Sequence, residues 1–257
     1  MVTPVWQSVS GAGTDLVVLH GWGLNGTIWQ SIAPLLQNHR RLHCFDLPGY
    51  GDSPWPADQP ISFDHLVELT AAALPARCQL LGWSLGGLVA TAIASRYPER
   101  VSQLITVASS PYFPATGTWP GIDPHVLNTF ARQLCADFKR TVERFLALQS
   151  LGSQSAKADV KQIKEWLFSK PMASQAVLNA GLDMLASVDL RTTLAHLEMP
   201  LLRIYGRLDS LVPAAVAAEV DRLAPQSTSV IMPHCSHAPF VTAPELFCQL
   251  LLEHSAS

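Results

Sequence analysis

The chain has 257 residues, and its 17 Lys+Arg against 20 Asp+Glu leave a net charge of −3. So small an imbalance leaves no electrostatic footprint for nucleic acid, and no apolar run approaches the roughly 20 residues of a membrane span. The start, MVTPVWQSVSG, lacks the basic head and apolar stretch of a secretory signal, so a cytoplasmic globular protein with one sizeable core is expected.

Short apolar runs alternate with longer helical patterns. Strands are expected at 15–21, 41–47, 78–83, 101–109, 200–206 and 227–233, several apolar throughout, as strands covered on both faces are. Helices are expected near 28–37, 62–74, 85–96, 213–223 and 244–254. That rhythm predicts an α/β fold, a mostly parallel sheet flanked by helices. After Ser109 it stops. ASSPYFPATGTWPGIDP reads as a loop, and helices follow around 123–136, 138–151, 156–168 and 174–186 before strands resume at Pro200. Residues 111–187 are therefore expected to form a helical cap inserted over one edge of the sheet, between core segments 1–110 and 188–257. Phe130, Phe138, Phe145, Leu146, Leu148, Trp166 and Phe168 supply its apolar face, most of it for packing.

The chemistry centres on LLGWSLGG (80–87). Gly82-Trp83-Ser84-Leu85-Gly86 fits G-x-S-x-G, with strand CQLL before it and helix LGGLVATAIASRY after it. A turn from strand to helix within one residue needs flanking positions without side chains, and it lifts the serine hydroxyl above the sheet. The plain alternative is a glycine-rich turn whose serine caps the helix. A serine nucleophile needs a base, and the base needs an orienting acid. Five histidines follow Ser84: His125, His196, His234, His237 and His254. MPHCSHAPF follows the last strand, so His237 is the expected base, with His234 as a loop neighbour. Asp209, just past the strand at 200–205, is the expected acid. Asp183 and Asp189 lie in helix or linker and read as solvated or capping carboxylates.

Donors for a developing oxyanion are expected from the backbone N–H groups of Trp22, in LHGWGLN, and of Leu85, the residue after the serine. The Trp22 indole can also wall the acyl site. DLPGYGDS (46–53) reads as a structural turn. Five scattered cysteines (Cys44, Cys78, Cys135, Cys235, Cys248) show neither metal spacing nor a disulfide framework. Cys235, near the His237 loop, reads as a packing residue. No metal or organic cofactor is implied. No stretch marks an oligomer interface, so a monomer is expected.

HGWG, DLPGYG, GWSLGG, GRLD and the His237 loop occur in the order found in the α/β-hydrolase superfamily, which the chain resembles over nearly its whole length. It is also similar to the pimeloyl-[acyl-carrier protein] methyl ester carboxylesterase family of biotin synthesis. That likeness rests on VLHGWGLN (18–25), LGWSLGGLVA (81–90), ASSP (108–111), WPGI (119–122), RTVERFLALQ (140–149), VDLR (188–191) and HAPF (237–240). The resemblance implies a serine esterase that takes a methyl group from a pimeloyl thioester on acyl-carrier protein. Trp22, Ser84, Leu85, Phe145, Leu146, Ala147, Leu148, Gln149 and His237 would contact the substrate, with Phe145 along the acyl channel. It also implies four basic cap residues that grip the acidic carrier. Arg140 and Arg144 match as arginines, whereas Lys157 and Lys161 keep the charge without the planar fork. Spacing agrees with such a face: each pair is i, i+4, and residues 137–170 carry a net +3 within an otherwise acidic chain. By itself the charge pattern favours a solvated helix face. The rival functions are a broad short-chain esterase, a carbon–carbon bond hydrolase on the same scaffold, and a binding module that has lost turnover.

Overall fold

The computed structural model describes residues 5–136, 140, 141, 143, 144 and 156–255. Its seven strands form one sheet: β1 (Gln7–Gly11), β2 (Thr14–Leu19), β3 (Arg40–Phe45), β4 (Cys78–Trp83), β5 (Val101–Val107), β6 (Leu201–Gly206) and β7 (Thr228–Met232), in the order β1-β3-β2-β4-β5-β6-β7. Only β1 runs antiparallel to its neighbour. The central strands β4 and β6 are buried at every residue, which accounts for their mostly apolar sequence; the exceptions, Gln79 and Arg203, are paired, with Gln103 and with Asp221.

Two expectations needed correction. The sequence predicts no strand at Gln7–Gly11, because QSVSG has no apolar face. It forms β1 because an edge strand is held by its ladder to β3, and all five residues stay exposed. The single helix expected at 28–37 divides into a 3-10 turn (Gly26–Ser31) and a short α1 (Ala33–Leu36). Pro34 has no N–H to donate, so it sits in the first turn of a restarted helix.

The remaining helices are α2 (Phe63–Ala72), α3 (Leu85–Arg96), α4 (Pro124–Ala136), α5 (Ala156–Leu167), α6 (Gln175–Ser187), α7 (Arg191–Leu194), α8 (Val216–Leu223), α9 (Pro239–Thr242) and α10 (Pro244–Glu253). Of the helix expected at 138–151, residues 140, 141, 143 and 144 are described and are helical; the rest lies outside the described residues. α3 is buried from Leu85 to Ala94. Its Gly86, Gly87, Ala90 and Ala94 keep the backbone close to the sheet, while Leu88, Val89 and Ile93 fill the interface at roughly 1.5–3 kcal/mol each.

The chain steps from β2 outward to β3, then crosses back over β2 to β4. The winding therefore reverses between β2 and β4, and the loops leaving their carboxyl ends diverge around a crevice where ligands bind in open α/β sheets. The long connection from β5 to β6 lies across this end. α6 reaches the loops after β2 and β3: a Cβ on Gly181 would lie 2.6 Å from Trp22 Cδ1, and one on Gly49 would lie 2.8 Å from Val177 Cγ2.

Candidate active site

Ser84 stands between the last residue of β4 and the first of α3, with φ 55° and ψ −120°. A non-glycine residue held there stores about 1–3 kcal/mol of strain, and its neighbours hold it in place. Ser84 N–H donates to Val107 O at 3.0 Å. Ser84 O accepts from Gly87 N–H at 2.9 Å and from the Ser109 hydroxyl at 2.8 Å. A Cβ on Gly82 would stand 2.1 Å from Gly86 O, so the elbow closes only on bare backbone. The Ser84 side chain makes no cap bond to α3, which removes the capping alternative.

β6 delivers Asp209 three residues past its end. Asp209 Oδ1 accepts the N–H groups of Leu211 (2.8 Å) and Val212 (2.9 Å). Asp209 Oδ2 lies 2.7 Å from His237 Nδ1, with both side chains fully buried. The carboxylate can only accept from a neutral imidazole, so Nδ1 carries the proton and Nε2 keeps its lone pair. His237 Nε2 is buried and has no hydrogen-bond partner among the described residues. The Trp83 indole N–H donates to His237 O at 2.7 Å, tying the His237 loop to the residue next to Ser84. Trp29, Trp83, Phe240 and Phe247 pack edge-on or tilted behind it.

The other candidates fall elsewhere. His125, His196 and His234 are exposed, and His254 bonds to its own helix at Leu250 O. Asp183 is exposed; Asp189 accepts Arg191 N–H at 3.0 Å and pairs with the Arg191 guanidinium. Cys235 is buried, and desolvation pushes its thiol up to about 11, away from thiolate chemistry.

The loop after β2 runs directly against the serine: a Cβ on Gly21 would lie 3.1 Å from Ser84 Cβ. His20 fixes its start. Leu47 N–H donates to His20 Nε2 at 2.9 Å, so Nδ1 holds the proton and donates to Gly21 O at 2.7 Å. Burial lowers this imidazole to about 4, against a smaller opposing pull from Asp46. The Trp22 indole is buried, and its N–H donates to Leu178 O at 2.8 Å, anchoring it on α6. Leu85, the first residue of α3, is in the turn whose N–H groups lack intrahelical acceptors.

Arg140, Arg144, Lys157 and Lys161 are all exposed. Glu143, between the two arginines, reaches Lys164 of α5 at 3.3 Å, which joins the two basic stretches. Phe145, Leu146, Ala147, Leu148 and Gln149 lie outside the described residues. Of the apolar cap residues, Phe130 is buried and Phe168 is 40% exposed. No metal-holding cluster of His, Cys, Asp or Glu occurs among the described residues, and no helix there is long and apolar enough to cross a membrane.

Sequence reasoning missed several residues that position the site. The sequence presents Trp83 only as a variable position of the elbow pattern, and Ser109 only as the end of the strand at 101–109 and the start of the loop that follows. Asp46 was read as part of a turn, yet its buried carboxylate accepts from Gly26 N–H (2.6 Å) and Asp52 N–H (2.8 Å) and pairs with Lys170 (2.8 Å). Its apolar setting after strand FDL was the one available signal.

Residues 15–244 match the family model described as alpha/beta hydrolase fold. The chain is 51% identical over 244 residues to a pimeloyl-[acyl-carrier protein] methyl ester esterase of Aeromonas hydrophila, covering 95% of this chain and 96% of the relative. It is 52% identical over 249 residues to the protein of the same name from Vibrio cholerae, covering 96% of both. An esterase from Exiguobacterium antarcticum superposes with a TM-score of 0.85 at 20% identity, covering 97% of this chain and 94% of that one. An enol-lactonase from Burkholderia xenovorans superposes with a TM-score of 0.82 at 16% identity, covering 97% and 95%. At such identities the structural likeness speaks to the fold alone.

Proposed function

Because the chain belongs to the α/β-hydrolase fold family, we propose that it is a serine carboxylesterase that hydrolyses the methyl ester of a pimeloyl group carried on acyl-carrier protein, a step of biotin synthesis. The observation that carries the chemistry is the buried Asp209–His237 pair with Nε2 open, on a loop tied through the Trp83 indole to the residue next to the strained Ser84. Ser84 Oγ attacks the ester carbonyl while His237 Nε2 takes its proton. Asp209 keeps the imidazole in that tautomer and stabilises its charged form. The N–H groups of Trp22 and Leu85 receive the oxyanion. Collapse expels methanol, protonated by His237; a water activated by the same ring then releases the acid and frees Ser84.

The substrate reading is supported by the names of the relatives that match almost the full chain. Residues 111–187 act as a cap between core segments 1–110 and 188–257. Arg140, Arg144, Lys157 and Lys161 form the face that receives the acidic carrier, and the acyl arm passes along Phe145, Leu146, Ala147, Leu148 and Gln149. The buried free thiols of Cys44, Cys78, Cys235 and Cys248 support a reducing, cytoplasmic setting.

Hydrolysis of pimeloyl-acyl-carrier-protein methyl ester, beside that of a small free methyl ester, tests this reading. Ser84→Ala is expected to lose about 10⁵–10⁶-fold in kcat on both. Arg140→Glu with Arg144→Glu is expected to lose the carrier substrate and keep the small one. Equal treatment of both substrates by both proteins would leave a general esterase with a solvated basic face.

A further inference from the structure

Two different supports hold the loop that carries Trp22. Its first residues are tied to the core through His20 and Leu47. From Trp22 onward the ties go to the β5–β6 connection. The Trp22 indole N–H donates to Leu178 O at 2.8 Å, and Asn25 Nδ2 donates to Leu167 O at 3.2 Å. The Thr27 hydroxyl stands between Asn25 Oδ1 and Trp166 O, at 2.9 Å from the latter. The strongest tie lies beneath. Asp46 is fully buried, and one of its oxygens accepts Gly26 N–H while the other meets Lys170 Nζ at 2.8 Å. Lys170 follows α5 by three residues, has a side chain only 9% exposed, also faces Asp52 at 3.1 Å, and sits over the Trp6 ring.

The far end of α5 reaches the other side of the site. Asp159 Oδ2 accepts the Thr242 hydroxyl at 2.9 Å, and Thr242 closes α9, the turn that follows His237. One helix thus spans from the histidine loop to the loop after β2.

We propose that Asp46 and Lys170 are positioning residues for the reaction: their buried ion pair clamps the Trp22–Thr27 loop to the end of α5 and sets the direction of the Trp22 N–H toward the forming oxyanion. This rests on the reading of Trp22 as an oxyanion donor. A charge pair that joins two segments at hydrogen-bond distance restricts both more tightly than the neutral bonds around it. A donor misplaced by a fraction of an ångström is felt where the oxygen carries full charge and little where it is a ground-state carbonyl. The clamp should therefore act on kcat and leave KM alone.

The test uses the intact protein and a small p-nitrophenyl ester, which needs no carrier. Lys170→Met and Asp46→Asn are expected to lower kcat by about 10- to 100-fold with KM within about twofold. The affinity of a trifluoromethyl ketone, which forms an oxyanion on the serine, should fall in step with kcat/KM. Removing one charge strands the other, so the double variant Asp46→Asn with Lys170→Met is measured too. It is expected to regain thermal stability while kcat stays low. If kcat recovers with stability, or if kcat and ketone affinity stay within about twofold in every variant, the pair is structural and the proposal is overturned. Ser84→Ala separates the two levels. Full activity in Ser84→Ala removes the serine-esterase reading itself, whereas its inactivity beside fully active clamp variants removes the clamp alone.

Discussion

His237 and Trp22 lie on two loops that both meet the Ser84 elbow, and they are held largely by different parts of the molecule. His237 is fixed by Asp209, by the Trp83 indole and by an aromatic wall of Trp29, Phe240 and Phe247, all belonging to the sheet and the helices packed on it. Trp22 is fixed by Leu178 of α6, the residues after it by Leu167 and Trp166, and Gly26 through Asp46 by Lys170; Leu178, Leu167, Trp166 and Lys170 all lie in the β5–β6 connection. The side proposed for proton transfer is thus built mostly into the core. The side proposed to stabilise the oxyanion leans on a segment that differs in length and sequence from the repeating βα pattern. A change in the connection should act mainly on the second, reaching the first only through the bond from the Thr242 hydroxyl to Asp159.

Breaking the core side should have the larger effect. Asp209→Asn keeps the shape but reverses the hydrogen-bonding demand on Nδ1, so kcat on a small ester is expected to fall by about 10⁴-fold with KM little changed. A loss of less than about tenfold would mean that His237 needs no acid to orient it.

A second variant tests the core tie of the Trp22 loop, which belongs to neither extreme. His20 titrates at about 4 when folded, against an ordinary 6.5. Between those values the unfolded chain binds the extra proton, so stability rises with pH. The contribution is complete above about 6.5 and lost as pH falls to about 4, an effect of roughly 3 kcal/mol. Unfolding midpoints from pH 4 to 7 should show a steeper acid loss in the parent than in His20→Asn. Parallel curves would show that His20 is not the group responsible.

Smaller effects sharpen the contrast. Trp83→Phe keeps a ring against Phe240 and removes the donor to His237 O, so kcat is expected to drop about tenfold. Ser109→Ala withdraws one partner from Ser84 O, costing about 1 kcal/mol in denaturant unfolding. An unchanged kcat in Trp83→Phe would show that the aromatic wall alone suffices to hold the histidine loop.

The six parallel strands were readable because their buried residues form short, mostly apolar runs, and the elbow because its glycines, serine, strand and helix are contiguous. The meeting of Asp209 with His237 was readable from chain order, since each follows a strand at the same end of the sheet. The contacts from Trp83 to His237 and from Asp46 to Lys170 join residues 154 and 124 positions apart. Nothing local in WSL or FSK records them. β1 escaped because an exposed edge strand needs no apolar alternation, and the break near Pro34 because the apolar spacing continues across it.

The β5–β6 connection leaves one strand and returns to its immediate neighbour, and Leu190 N–H donates to Pro111 O at 2.8 Å across its mouth. Some eighty residues therefore hang from a closed neck. Lengthening or shortening such a segment changes the entropy of closing its ends only slowly, by about 0.6 kcal/mol per doubling. The closure term therefore tolerates segments of many lengths, and an exchanged segment that still pairs with Asp46 would change both the surface it presents and the grip on the loop after β2. On this architecture, a new substrate and a newly tuned reaction rate come from the same exchange.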